Sequence, residues 1–158
     1  PRQRLDLSVN ILTNHAVTNN KIKVFGGTQL RPNLHIQDYC DAVKLFLDAS
    51  TDSIANKIYN IGYQNLSIME IALIVKKVVE QEFPERPPID IVTTPTDDIR
   101  SYHINSDKIK RELGFQPSHS IEDAVRDLCK AFRDNLLPNS MTDDTYYNVS
   151  RLKRLKAS

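Results

Sequence analysis

Two cysteines in 158 residues are too few for a disulfide framework, and Cys40 and Cys129 have no metal-ligand spacing. Each falls inside a helical pattern and reads as a small apolar residue buried in a reducing cytoplasm. The four histidines are scattered, and no cluster of His, Cys and carboxylates suggests zinc. No apolar run approaches the roughly 18 residues of a membrane helix. The first ten residues, PRQRLDLSVN, lack the apolar segment of a signal peptide, so the expected compartment is the cytoplasm. An excess of one charge is missing too. With 21 Lys and Arg against 20 Asp and Glu, the net charge is +1, which gives no electrostatic case for nucleic acid or an anionic membrane. Internal repeats and low-complexity stretches are also absent.

What is present is an ordinary globular composition, 40% apolar and 26% charged, long enough for one domain with a real core. Residues 6–19 read as a helix, with Leu7, Ile11, Leu12 and Ala16 at helical spacing, Asp6 as cap and Asn19-Asn20 as stop. A short strand over 22–25 runs into the Gly26-Gly27 turn, and a second strand is expected over 34–36. Asp38 then caps a helix to about residue 49. A third strand is expected at 58–61, stopped by Gly62. Ser67 and Glu70 form a capping box that opens a long amphipathic helix to about residue 83, ended by PERPP. A strand follows at 89–92, then a polar loop over 95–100 and an extended piece at 102–104. Ser106 caps a short helix that Gly114 terminates, and Ser120 with Asp123 opens a last helix to about residue 136. In the tail, 138–158, RLKRLK reads as a solvated or frayed helix rather than a nucleic-acid patch. Strands alternate with helices, so the class is α/β, but the strands are too few and short for a complete doubly wound sheet.

The chemistry is sparse. FGGTQLR is neither GxGxxG nor GxxxxGK[ST], and it does not open a helix, so by itself it is a turn. Arg31 lies between that turn and the next strand, where a guanidinium fork can bind phosphate; a plain surface arginine is the simpler account. Asp38 is explained by a helix cap. Asp97, Asp98 and Arg100 form a loop that either holds ribose hydroxyls and phosphate or is merely solvated. No GxSxG and no signature Cys/His pair occurs. Residue by residue, this is an α/β domain with one candidate anion-binding face.

A longer pattern adds to this. IKVFGGTQLRPNLHIQDYCDAV, NKIYNIG, SIMEIALIV, SYHINSDKIKRELGFQP and SIEDAVRDLCKAF, in that order, resemble consecutive segments of the extended short-chain dehydrogenase/reductase family, the nucleotide-sugar epimerases and dehydratases. The resemblance runs from about residue 6 to 136. Family enzymes carry a glycine-rich NAD(P)-binding Rossmann half followed by a catalytic Tyr-x-x-x-Lys pair. None of the six tyrosines here has a lysine four residues on. The resemblance therefore implies only the C-terminal, substrate-binding portion, over 1–137, with 138–158 as a tail. It implies a chain cut from a longer protein and starting after the catalytic pair, inactive alone.

The resemblance also assigns roles. Asp6 and Leu7 match a diphosphate-contacting position, where an aspartate would repel phosphate unless it caps the helix or pairs with Arg2 or Arg4. Lys23 and Phe25 match the strand lying along the base. Arg31 matches the diphosphate arginine. Asp98 fits the ribose-binding acid; an arginine that the epimerase branch has in this loop is missing from Pro95-Thr96-Asp97-Asp98, and Arg100 matches an arginine of the dehydratase branch that would replace its charge. The implied cofactor is NAD or NADP in the complete enzyme, with none for this chain alone. The implied partners are a nucleotide sugar, the missing Rossmann half and a second copy in a homodimer, with surface-polysaccharide synthesis as the setting. The competing readings are a stand-alone binding module without turnover and an interaction domain.

Overall fold

The computed structural model describes residues 3–98 and 100–157. Helix α1 (Ser8–Asn19) leads through Asn20, whose φ of 52° makes the left-handed stop, into strand β1 (Lys21–Phe25). Asparagine tolerates that conformation better than most residues. β2 (Leu30–Asn33), α2 (Ile36–Asp48) and the single turn α3 (Thr51–Ile54) follow. Then come β3 (Gln64–Ser67), α4 (Ile68–Glu82), β4 (Asp90–Thr94), α5 (Asp107–Leu113) and α6 (Ile121–Arg133). A 3-10 turn at Asp144–Tyr146 and α7 (Asn148–Ala157) complete the chain.

The strands form two small sheets. β1 pairs in parallel with β4, with Lys21 opposite Asp90 and Phe25 opposite Thr94. β2 pairs antiparallel with β3, with Arg31 opposite Leu66 and Pro32 opposite Asn65. A two-stranded ribbon consists only of edges, so the N–H that Pro32 lacks interrupts no central ladder.

The core sits where α1, α4 and α6 pack on one another and on β1. Leu12 and Ala16 of α1, Ile71, Val75 and Val79 of α4, and Val125 and Cys129 of α6 close around Ile22 and Val24. Both capping boxes form as the sequence predicts. Ser67 Oγ accepts the Glu70 N–H while Glu70 accepts the Ser67 N–H, and Ser120 with Asp123 does the same for α6. Each box satisfies two N–H groups that a helix start leaves without partners. A second, smaller cluster joins Ala42 of α2 to Ile109 and Phe115.

Several expectations shift. The second strand lies at Leu30–Asn33, not 34–36, because His35 caps α2 with its imidazole, Nδ1 accepting the Gln37 N–H. Asp38 is therefore in the first turn rather than at the cap. Likewise Leu7, not Asp6, occupies the N-cap of α1, and makes no side-chain bond there. The apolar IYNI at 58–61 is not a strand, whereas the polar Gln64–Ser67 is. Pairing decided this: β2 offers its edge to Gln64–Ser67, while Ile58 stays 83% exposed. Ser106 starts α5 without capping it; its Oγ accepts from Gly62 N–H and donates to Gly62 O. Cys129 is buried as expected, but Cys40 is exposed on α2.

The segment before α7 is laced to the N-terminal part. Asn14 bonds Ser140 and the Tyr147 hydroxyl, and the Leu5 N–H donates to Tyr146 O at 2.9 Å. Among the described residues, no helix is long and apolar enough to cross a membrane.

Candidate functional site

The two loops at the C-terminal ends of β1 and β4 are stitched together by one buried side chain. Gln29 Oε1 accepts the Gly27 N–H at 2.6 Å. Its Nε2 donates to Phe25 O at 2.8 Å and to Asp98 O at 3.5 Å. Gly26, at φ 72°, continues the ladder by donating to Thr94 O at 2.9 Å. A Cβ on Gly26 would stand 2.7 Å from Thr96 Cγ2, so only glycine lets the two loops approach this closely.

Arg31 projects from β2 into this junction. Its Nη1 donates to Leu30 O at 2.9 Å and to Arg100 O at 2.5 Å. Its Nη2 lies 4.0 Å from Asp98 Oδ2, and its guanidinium carbon lies 5.2 Å from the centre of the Tyr102 ring. The side chain is only 18% exposed. Arg100, in contrast, is 81% exposed. It grips Asp98 with a planar fork, Nε to Oδ1 at 2.7 Å and Nη2 to Oδ2 at 2.6 Å. The Arg100 bonds, reinforced by its charge and that of Arg31, hold the Asp98 carboxyl down to about 2, while Asp98 in turn raises Arg100. Asp98 is thus ionised throughout the physiological range.

Lys23 and Phe25 lie on the outer face of β1, opposite the inward Ile22 and Val24. Phe25 is 54% exposed, with the backbone of its carbonyl tied to Gln29. Asp6 is engaged elsewhere. Its carboxylate accepts from Arg4 Nε at 2.9 Å and from the Asn148 N–H at 2.8 Å. Burial disfavours its charge, but these bonds and the Arg4 charge outweigh that and leave its carboxyl below the usual range. The pairing expected with Arg4 is present; Arg2 lies outside the described residues. Leu7 is half exposed beside it.

The structure therefore brings together Arg31, Asp98 and Arg100, joins Phe25 to them through Gln29, and leaves Asp6 and Leu7 at the start of α1. Three participants escaped the sequence reading. They are Gln29, Tyr102 and Ser101, whose Oγ accepts the Leu30 N–H at 2.9 Å. Tyr102, an aromatic two residues after Arg100, was the one with a visible signal. A surface depression of about 400 Å³ near Thr18, Phe132, Pro138 and Met141 holds none of these residues and no charged side chain. Two guanidinium groups and a carboxylate meet instead at the junction of Arg31, Asp98 and Arg100.

Comparison with known proteins shows the family. The family model described as GDP-mannose 4,6 dehydratase matches residues 5–128, which include every candidate residue. The chain belongs to that family. It is an extended short-chain dehydrogenase/reductase fold of the nucleotide-sugar dehydratase and epimerase type. Among curated relatives, it is 27% identical over 146 residues to the dTDP-glucose 4,6-dehydratase of Neisseria gonorrhoeae, covering 85% of this chain and 41% of that protein. It is 29% identical over 118 residues to the corresponding enzyme of Shigella flexneri, covering 71% and 32%. Two solved structures share the fold. One is the dTDP-glucose 4,6-dehydratase of Bacillus anthracis in complex with NAD, with TM-score 0.67, 20% identity and coverage of 89% and 43%. The other is the UDP-glucuronic acid 4-epimerase of Bacillus cereus in complex with UDP-glucuronic acid and NAD, with TM-score 0.69, 19% identity and coverage of 85% and 42%. The chain spans between 32% and 43% of the length of these relatives.

Proposed function

We propose that this chain is the substrate-binding portion of an NAD(P)-dependent nucleotide-sugar dehydratase or epimerase. The observation that carries the reading is the convergence of Arg31, Asp98 and Arg100 from β2 and the loop after β4. Two guanidinium groups on separate segments suit a diphosphate of about two negative charges. Asp98 suits a pair of ribose hydroxyls, and Phe25 with Lys23 supplies a partly apolar wall for the base. Asp6 and Leu7 border the diphosphate from the start of α1, Asp6 with its charge balanced by Arg4.

Such contacts are remote from the reacting sugar carbons. They hold the sugar in place so that hydride transfer at carbon 4 becomes effectively unimolecular. NAD or NADP would supply the hydride chemistry. In this reading the dinucleotide and the acid-base pair belong to a Rossmann half outside this chain.

A bare face on α2 supports that partnership. Ile36, Tyr39, Val43 and Leu47 recur at helical spacing on one side of α2 and are all exposed, Leu47 by 80%. A Rossmann half docking there would cover them. This observation favours a portion of a larger enzyme over a stand-alone module.

The test is calorimetric titration of the complete protein with nucleotide sugars. Arg31→Ala is expected to weaken binding by about 1.5–3 kcal/mol, the range for hydrogen bonds to charged groups. Unchanged affinity would remove Arg31 from the site.

A further inference from the structure

We infer that Asp98 is a selectivity residue: it occupies the Arg100 fork until an anion with paired oxygens displaces it, and only then is free to accept ligand hydroxyls. This rests on the diphosphate reading of the site given above.

The two arginines are built differently. Arg31 is a fixed post, its Nη1 held by two backbone carbonyls, its face on Tyr102, its surface mostly covered. Arg100 is an arm. Its side chain is largely in solvent, and among the described residues both of the bonds made by its guanidinium go to Asp98. A ligand therefore meets a site in which one cation is already neutralised by an internal carboxylate. Among the groups paired with one another, Arg31 and Arg100 stand against Asp98, a single net positive charge before exposed Asp97 is counted.

A carboxylate and a phosphoryl group present the same paired acceptor geometry to a guanidinium fork. Exchange of one for the other keeps Arg100 fully bonded. A neutral nucleoside has nothing to exchange, so it meets Asp98 with the paired edge of its carboxylate taken by the Arg100 fork. The backbone of Asp98 does not depend on Arg100 alone. Its N–H donates to Thr96 Oγ1 at 3.2 Å, and its carbonyl accepts from Gln29. The Arg100 backbone N–H also donates to Asp98 Oδ1 at 3.2 Å, so the carboxylate stays in position when the Arg100 side chain swings away, and the same event that seats the anion uncovers the hydroxyl acceptor. Binding is ordered, diphosphate first.

Because the pair is at the surface, opening it is cheap but measurable. Asp97 is the control. It is exposed, adjacent in sequence and of the same charge, and among the described residues it bonds neither arginine. The experiment titrates the complete protein with inorganic pyrophosphate in wild type, Asp98→Asn, Asp97→Asn, Arg31→Ala and Arg100→Ala. NMR follows the Arg100 Nε–H signal.

Asp98→Asn is expected to bind pyrophosphate roughly three- to fivefold more tightly, with Asp97→Asn changing it less than twofold. In wild type, the Arg100 Nε–H signal moves on titration, since the fork changes partners. If Asp98→Asn binds no tighter, or if Asp97→Asn tightens as much, the exchange is wrong and only net charge matters. The diphosphate site would still stand if either arginine variant weakens binding. If pyrophosphate does not bind, or if neither arginine matters, the site and the exchange fall together.

Discussion

The ring of His119 lies stacked on that of His35, centroids 4.8 Å apart and planes inclined by 21°. The two residues are far apart in sequence and look unrelated there. His35 caps α2 through Nδ1, so its ring proton is assigned to Nε2, which faces Asp127 of α6 at 3.3 Å. His119 Nδ1 lies 2.8 Å from Asp38 Oδ1. Asp38 is buried and also accepts from the backbone N–H groups of Ser118 and His119 and from the Ser118 hydroxyl. Burial works against its charge, but the bond to the His119 ring, the two backbone N–H groups and the His119 charge win and keep its carboxyl below the usual range. The cluster ties the start of α2 to the start of α6.

This tie predicts a pH-dependent stability. The bond to Asp38 raises the His119 pKa, burial opposes this, and the charges of Asp38, Asp123 and Asp41 add to it. A folded pKa above the unfolded value of about 6.5 means the contribution is complete below that value and is lost as pH rises through the folded one. His15 works oppositely, since burial and the Lys23 charge lower its pKa. The clean readout is therefore a difference. Urea unfolding of wild type and His119→Gln between pH 5.5 and 8.5 is expected to show a stability gap widest at the acid end. A gap independent of pH would mean that the ion pair contributes nothing.

Gly26→Ala is expected to destabilise the chain by about 1–3 kcal/mol, the usual cost of holding a non-glycine residue in a left-handed conformation. The new methyl also pushes on Thr96 and Gln29, and so on the loop that carries Asp98. Chemical denaturation gives the first effect. A weaker pyrophosphate affinity in the folded variant gives the second. Gly114, also at positive φ but with open space around it, is the control that feels strain without the clash.

The bare stripe on α2 predicts self-association of the chain by itself. Val43→Lys with Leu47→Lys is expected to shift sedimentation toward monomer while changing unfolding by less than about 0.5 kcal/mol, because both positions are exposed. Wild-type chain that sediments as a monomer at high concentration would argue that the stripe needs no cover.

Local signals in the sequence determined much of this protein. Ser67-Glu70 and Ser120-Asp123 marked two helix starts because capping is settled within four residues. Gly114 and Asn20 marked helix ends because positive φ is a property of single residues. Order along the chain was enough to suggest the family, and with it Arg31, Asp98 and Arg100. What only the tertiary structure decided were the partnerships. IYNI has the composition of a strand, yet the ladder went to Gln64–Ser67, since a strand exists only where an edge receives it. Asp38 reads as a cap, and packing made it the buried acceptor for a loop 80 residues away. Gln29 carries no visible signal, because a buried glutamine is identified by the three groups around it and not by its neighbours in sequence. Composition and local pattern fix which bonds a residue can make, but the fold chooses the atoms that receive them.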